Sequence, residues 1–322
     1  MNYITIKNKN YKISRLTLGT VQIGTTYGID SLGKPSNVEA NSILKYALDN
    51  GINVIDTSPD YGDSEQIIGN FLNNYNNYNN LEIYVVTKLN CHHYDKNVWE
   101  NRELIAEKIR EDFYLSCKKL KLDKIAIYLV HSAPHAFVEN GIVLDILSEI
   151  KNEEKIGLVG VSIYTDSQLK KCIEDQRVDV VQIPFNILDR RLLNSGLLEM
   201  AKKRGLLVFA RSVYLQGLLI MDLERIPNYL KEAVNFIKEL RKIAMTNSIN
   251  LKELCLKYVL SLDTIDSVLI GINSLEQLKE NIKIFDSKPL KKEILKAIEN
   301  LPIPPEYILN PSKWVELKSH VK

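Results

Sequence analysis

Short apolar runs alternate with longer amphipathic stretches along most of the chain. Eight runs have strand length: Leu16–Gly19, Asn53–Asp56, Ile83–Lys88, Ile125–Val130, Leu158–Val161, Val178–Ile183, Leu206–Ala210 and Ser267–Ile270. Between and after them, apolar residues recur at helical spacing over Asn37–Asn50, Ser64–Asn73, Asn101–Leu120, Val138–Asn152, Ser167–Asp175, Ser195–Arg204, Leu251–Ser261 and Leu275–Phe285. Strand followed by helix, eight times over, predicts parallel strands joined by crossover helices and closed into a (β/α)₈ TIM barrel of class α/β. The pattern before the first of these strands is different. Tyr3–Ile6 and Tyr11–Ile13 alternate around the turn-forming Lys7-Asn8-Lys9-Asn10, which predicts an N-terminal β-hairpin capping one end of the barrel.

Three segments lie outside the repeat. Asn73–Asn80 holds six asparagines and predicts a surface loop, and Asp222–Asn247 predicts an extra helix between strand seven and its outer helix. From Lys288 a last helix gives way to Leu301-Pro302-Ile303-Pro304-Pro305, where proline stops both helix and sheet. The expected result is a C-terminal tail near Trp314 that folds over the barrel mouth. A length of 322 residues suits one large barrel, so residues 1–322 are expected to form a single domain.

Charge narrows the choice of partners. Lys+Arg 42 against Asp+Glu 40 gives a net charge of +2 with no long block of either sign, so no nucleic acid and no anionic membrane surface is expected as a ligand. The N-terminus lacks the apolar core of a signal peptide, and no run of about 18 apolar residues is present to span a bilayer. Cys91, Cys117, Cys172 and Cys255 are widely spaced without a CxxC pair, which fits reduced thiols and a cytoplasmic location.

In a barrel of this class, functional groups gather where strands end and the following loops begin. Strand two ends in Asp56, Tyr61 follows five residues later, strand three ends in Lys88, and His131 follows strand four directly. A carboxylate and an ammonium buried together must pair to offset desolvation. A Lys88 so paired beside Tyr61 is expected to lower the phenol pKa and make Tyr61 a usable proton donor.

Asp56-Thr57-Ser58-Pro59-Asp60-Tyr61-Gly62 with Ser64-Glu65 and Gly69, then Val86-Thr87-Lys88, then Leu129-Val130-His131, resembles the aldo-keto reductases over almost the whole chain. The resemblance implies that Asp56, Tyr61, Lys88 and His131 form the catalytic constellation of an NAD(P)H-dependent oxidoreductase. Such an enzyme reduces an aldehyde or ketone, its small-molecule partner, to an alcohol. It also implies an extended cofactor across the mouth, with Tyr61 donating the proton and a neutral His131 orienting the carbonyl.

The same resemblance implies cofactor contacts at Gly19 and Thr20 after strand one, and at Ser162 and Gln182 against the nicotinamide carboxamide. Relatives have Tyr-Ser-Pro-Leu after strand seven, where this chain has Arg211-Ser212-Val213-Tyr214-Leu215-Gln216-Gly217. Arg211, Ser212, Leu215 and Gly217 are therefore expected contacts, with Arg211 either stacking on the nicotinamide or binding an anionic group. Gly271, Asn273, Ser274, Gln277, Glu280 and Asn281 resemble the adenosine-phosphate segment at a helix N-terminus. Ser274 and Gln277 stand where relatives often place Lys or Arg, so NADP is expected over NAD without a dedicated cation at those two positions.

Substrate choice is expected in the loops at Gly24–Pro35, Leu89–Asn101 and Asp222–Asn228 and in the tail, with Tyr27, Tyr214 and Trp314 able to stack on a sugar. The Arg211–Leu219 stretch is similar to bacterial members of surface-carbohydrate pathways, which implies a sugar-derived carbonyl. Three other readings compete. His131 and His135, with Cys91-His92-His93, suggest metal ligands, but Pro134 opposes one helical face and no metal is expected. A Schiff-base aldolase would use Lys88, and a cofactor-binding regulatory subunit would need little turnover.

Overall fold

The computed structural model describes residues 1–6, 10–29, 33–77 and 80–314, and the turn predicted at Lys7, Asn8 and Lys9 lies outside the described residues. Tyr3–Ile6 (β1) and Tyr11–Ser14 (β2) pair antiparallel, with Ile4 opposite Ile13. The barrel strands are Leu16–Gly19 (β3), Val54–Asp56 (β4), Tyr84–Leu89 (β5), Ile125–Val130 (β6), Ile156–Ser162 (β7), Val180–Pro184 (β8), Leu207–Arg211 (β9) and Ser267–Gly271 (β10). They close in the order β10-β3-β4-β5-β6-β7-β8-β9, all parallel. The fold is a (β/α)₈ barrel.

Strand side chains alternate between the barrel interior and the helical layer. Val54, Val86, Leu129, Val180, Phe209 and Leu269 share an inner cluster with Ile13, and Ile4, Ile6 and Tyr11 of the hairpin pack beneath it. The hairpin thus plugs the N-terminal end. Burial of each such side chain contributes about 1.5–3 kcal/mol. The opposite parity, including Leu16, Leu18, Ile55, Val85, Tyr128 and Val181, faces the helices in a second, larger cluster. Moving two residues from the inner cluster towards the strand ends reaches Asp56, Lys88, His131, Gln182, Arg211 and Gly271. The same parity gives Gly19 and Ser162. Six of these eight positions are polar, so the upper layer of the interior is largely polar.

Helix starts are set by side-chain caps. Asn101 Oδ1 accepts from the backbone N–H groups of Glu103 and Leu104 ahead of the Arg102–Leu120 helix. Thr165 and Gln168 form a reciprocal capping box ahead of Asp166–Glu174. Caps of this kind stabilise a helix by about 1 kcal/mol.

Three expectations change in detail. The helix predicted from Val138 begins only at Ile142, because Glu139, Asn140 and Gly141 all take positive φ. There the Arg177 guanidinium holds Gly141 O at 3.1 Å and Asp145 at 2.6 Å. The segment from Asp222 forms two 3₁₀ turns, Leu223–Arg225 and Asn228–Leu230, before the helix Ala233–Thr246, since Pro227 interrupts a continuous helix. Trp314 does not border the barrel mouth, and the rest of the predicted tail lies outside the described residues. After the Lys292–Glu299 helix and the prolines, the Trp314 indole is buried and donates to Tyr307 O at 2.9 Å.

Candidate active site

The C-terminal ends of the strands open into a cleft of about 630 Å³, bordered by Asp56, Tyr61 and His131. Lys88 stands behind them, with no exposed side-chain surface, as expected of a charge held only by its partners. Nζ donates to Asp56 Oδ1 at 2.8 Å and to Thr57 O at 2.7 Å, and it stands over the Tyr61 ring, 4.9 Å from the ring centroid. Burial works to lower the Lys88 pKa, but Asp56 and Tyr61 outweigh it and hold the amine above its ordinary value. A protonated Lys88 paired with Asp56 opposes imine formation. Gln182 Nε2 donates to the other Asp56 oxygen at 2.7 Å, so both carboxylate oxygens are engaged.

Tyr61 departs from expectation in one respect. Burial raises its phenol pKa, and Lys88 only partly offsets that rise. In the open cleft the phenol is held protonated, and its O–H is available to donate. Its position is fixed by backbone contact: a Cβ on Gly24 would stand 1.6 Å from Tyr61 O, and Gly62 has φ +57. Thr20 Oγ1 donates to Asp56 O at 2.8 Å, and Ser64 Oγ donates to Thr20 Oγ1 at 2.8 Å. The loops after β3 and β4 are thereby tied together.

The ring of His131 packs edge-on to Tyr61, with centroids 6.1 Å apart. Its Nδ1 lies 2.8 Å from Asp60 Oδ2 and 3.3 Å from Ser58 Oγ. Asn90 Nδ2 donates to both Asp60 oxygens at 2.8 Å. The hydrogen bond from His131 keeps the Asp60 carboxyl below the usual carboxylate range. Burial lowers the His131 pKa despite the opposing pull of Asp60. Asp60 and Asn90 were not singled out by the sequence reading, although a carboxylate directly before Tyr61 was a visible signal.

Of the expected cofactor contacts, Gly19, Thr20, Ser162, Gln182 and Arg211 border the cleft. So do Ser212, Gly217, Gly271, Asn273, Gln277 and Asn281. Leu215, Ser274 and Glu280 do not. Leu215 is fully buried. The Ser274 hydroxyl caps the Leu275–Asp286 helix by accepting from Gln277 N, while Gln277 Oε1 accepts from Asn273 N at 2.9 Å. Glu280 turns to Lys252, an ion pair in which the lysine borders the cleft beside Tyr214. Tyr214 Oη donates to Asn281 Oδ1 at 2.5 Å. The Arg211 guanidinium lies 4.4 Å from the centroid of the Tyr164 ring, a neighbour the sequence did not suggest.

Among the predicted mouth elements, Tyr27, Tyr214, Asp222 and Arg225 border the cleft, whereas no residue of Leu89–Asn101 does. His135 packs against His92 and Trp99 instead of meeting His131. A dinucleotide fits the cleft by chemistry as well as size. Gln22 Oε1 and Asn273 Oδ1 are buried at its wall without a protein donor, and a Cβ at Gly217 would meet nothing within 4 Å, so a ligand can approach the backbone there.

The sequence model of the Aldo/keto reductase family matches residues 15–302. An NADH-specific methylglyoxal reductase of Escherichia coli is 26% identical, over 93% of this chain and 100% of that protein. L-galactose dehydrogenase of Arabidopsis thaliana is also 26% identical, over 95% of each. Among solved structures, the holo form of an aldo-keto reductase from Bacillus halodurans superposes with a TM-score of 0.75 at 23% identity, covering 94% of this chain and 96% of that one. The barrel, the polar layer at its mouth and these matches lead to one conclusion: the chain belongs to the aldo/keto reductase family and is an oxidoreductase acting on carbonyl groups with a nicotinamide cofactor.

Proposed function

We propose that this chain, as a single barrel domain over residues 1–322, reduces a sugar-derived aldehyde or ketone with Tyr61 as the proton donor. One observation carries the reading. Lys88 is fixed by Asp56 and Thr57 O with its ammonium 4.9 Å from the centroid of the Tyr61 ring, which borders the cleft. Asp56 fixes Lys88, Gln182 fixes Asp56, and His131 faces the oxygen of the bound carbonyl.

The nicotinamide supplies a hydride when bound, and the protein supplies position and field. The substrate oxygen that gains negative charge would take the proton of the Tyr61 phenol, and the nearby Lys88 charge would stabilise the phenolate left behind. The cofactor would be held by Gly19, Thr20, Ser162, Gln182, Arg211, Ser212 and Gly217 and by Gly271, Asn273, Gln277 and Asn281. NADPH is the proposed preference. Lys252 supports it: an ammonium at the cleft wall, now on Glu280, could exchange that carboxylate for a 2′-phosphate. A sugar-like substrate is supported by Tyr27, whose hydroxyl accepts from Gln216 at 2.9 Å, and by the Arg211–Tyr164 pair, which together give the mouth aromatic and polar faces. The proposed location is cytoplasmic, supported by four buried thiols without pairing. Among the described residues no helix is long and apolar enough to cross a membrane.

The test is a fluorescence titration with NADPH and NADH, followed by an aldehyde and ketose panel on wild type and Tyr61→Phe. Loss of the general acid should lower kcat by about 10²–10⁴-fold with cofactor affinity retained. Full activity in Tyr61→Phe would exclude the phenol as the acid.

A further inference from the structure

Asp60 lies outside the constellation that the family resemblance implies, yet its carboxylate is the group that holds His131. A carboxylate can only accept hydrogen bonds, so the 2.8 Å contact from His131 Nδ1 to Asp60 Oδ2 requires the proton on Nδ1. When the ring is neutral, Nε2 therefore carries a lone pair. A lone pair repels a carbonyl oxygen and accepts from an alcohol hydroxyl.

We propose that Asp60, clamped by Asn90, is a positioning residue that fixes the His131 tautomer, so that the ring receives an alcohol when neutral and donates to a carbonyl only when protonated. The inference deepens the carbonyl-reductase reading and rests on it for its kinetic part. The groups facing the ring fit this role. Asp60 and Asp56 favour the imidazolium, Lys88 opposes it, Tyr61 meets the ring edge-on, and Ser58 Oγ shares Nδ1. The Asp60 side chain is 39% exposed and that of His131 26% exposed, so both can exchange protons with solvent. Asp60 and Asn90 also border a separate cavity of about 70 Å³ behind Lys88, which offers the carboxylate a route to water from the side away from the cofactor cleft.

Asn90 makes the substitution Asp60→Asn informative. Its Nδ2 now donates to Asp60, and in the variant it would draw the amide oxygen at position 60 towards itself. The amide N–H would then face Nδ1 of His131 and move the ring proton to Nε2. A neutral ring could then serve a carbonyl directly.

Two measurements test this. Ring ¹⁵N NMR of the unliganded full chain, with His131 assigned by its absence from His131→Gln, should show a neutral Nδ1–H ring in wild type and a neutral Nε2–H ring in Asp60→Asn. In wild type, kcat/KM for the best aldehyde of the panel should fall about tenfold per pH unit above the His131 pKa, which lies below 6.5, while oxidation of the corresponding alcohol rises over the same range. In Asp60→Asn this fall of reduction with rising pH should flatten, and Asp60→Glu should restore it. A neutral Nε2–H ring in wild type, or an unchanged fall above the His131 pKa in Asp60→Asn, would overturn the proposal. If no carbonyl compound is turned over, the reductase reading fails, while the ring spectrum still decides the pairing.

Discussion

Replacing Asp56 by alanine isolates the value of the buried ion pair. The Lys88 side chain has no exposed surface and that of Asp56 is 3% exposed, so the variant leaves an ammonium in the barrel with Thr57 O as its remaining acceptor. It also strips Gln182 Nε2 of its acceptor. Breaking a buried pair from one side costs about 3–5 kcal/mol. The unfolding entropy of a chain of 322 residues is about 0.7 kcal/mol/K near 60 °C, so a loss of about 4 kcal/mol lowers Tm by about 6 °C. The sign of the pH dependence is a second check. In wild type the Lys88 pKa is raised, so its contribution is fully present below the unfolded value of about 10.4 and is lost only as pH rises through the folded value. Without Asp56 the burial effect dominates, the folded pKa falls below the unfolded one, and the unfolded state binds more protons. Stability of the variant then rises with pH, so its Tm deficit should narrow between pH 6 and pH 9. Adding Lys88→Met should recover at least half of the deficit, because no charge is then stranded. Calorimetry on the three proteins at both pH values is the assay. A deficit under about 1 °C, or one that neither narrows with pH nor shrinks in the double variant, would refute the reasoning.

Three further outcomes are expected. Arg211→Ala should raise KM for aldehydes bearing a carboxylate or phosphate by about 10–100-fold relative to neutral ones, the value of a charge-assisted contact, and unchanged substrate and cofactor constants in steady-state kinetics would count against it. Lys252→Ala should weaken NADPH binding about tenfold in fluorescence titration while leaving NADH unaffected; equal effects would remove Lys252 as a selector of the 2′-phosphate. Gly24→Ala should lower Tm by about 2–4 °C and reduce turnover, since its Cβ would lie 1.6 Å from Tyr61 O and backbone must move, and a variant with wild-type Tm and kcat would show that the loop yields freely.

The barrel was legible because burial follows a simple rule along each strand. Parallel strands covered on both faces read as continuous apolar runs, and all eight runs became strands of the closed barrel. The same parity made Asp56, Lys88 and His131 conspicuous, since a polar residue at the inner position of a strand end interrupts that run. What the pattern did not carry is side-chain competition. Glu139-Asn140-Gly141 scans as the start of a helix, but Arg177, remote in sequence, anchors it in left-handed conformations. Ser274 reads as a phosphate ligand at a helix N-terminus, yet the helix's own N–H groups claim its hydroxyl. Lys252 was missed because a lysine in the first turn of a surface helix looks solvated, and only the approach of Tyr214 and Asn281 brings it to the cleft.

The loop after β4 shows why the two carboxylates at the mouth do different work although they stand four residues apart. Asp56 ends a strand, so its side chain points into the barrel, where an ammonium is its partner and no water competes. Asp60 lies on the exposed turn, where its partner is a ring whose proton can leave within the physiological range. Exchanging the partners would defeat both. A titrating imidazole opposite Asp56 would strand a buried carboxylate whenever it lost its proton, and a permanent ammonium opposite Asp60 would fix the charge at the substrate oxygen in both directions of reaction. Tyr61 sits between the pairs, its ring under the Lys88 ammonium on one side and edge-on to His131 on the other. One pair therefore holds the phenol in place at constant charge, and the other supplies the charge that varies.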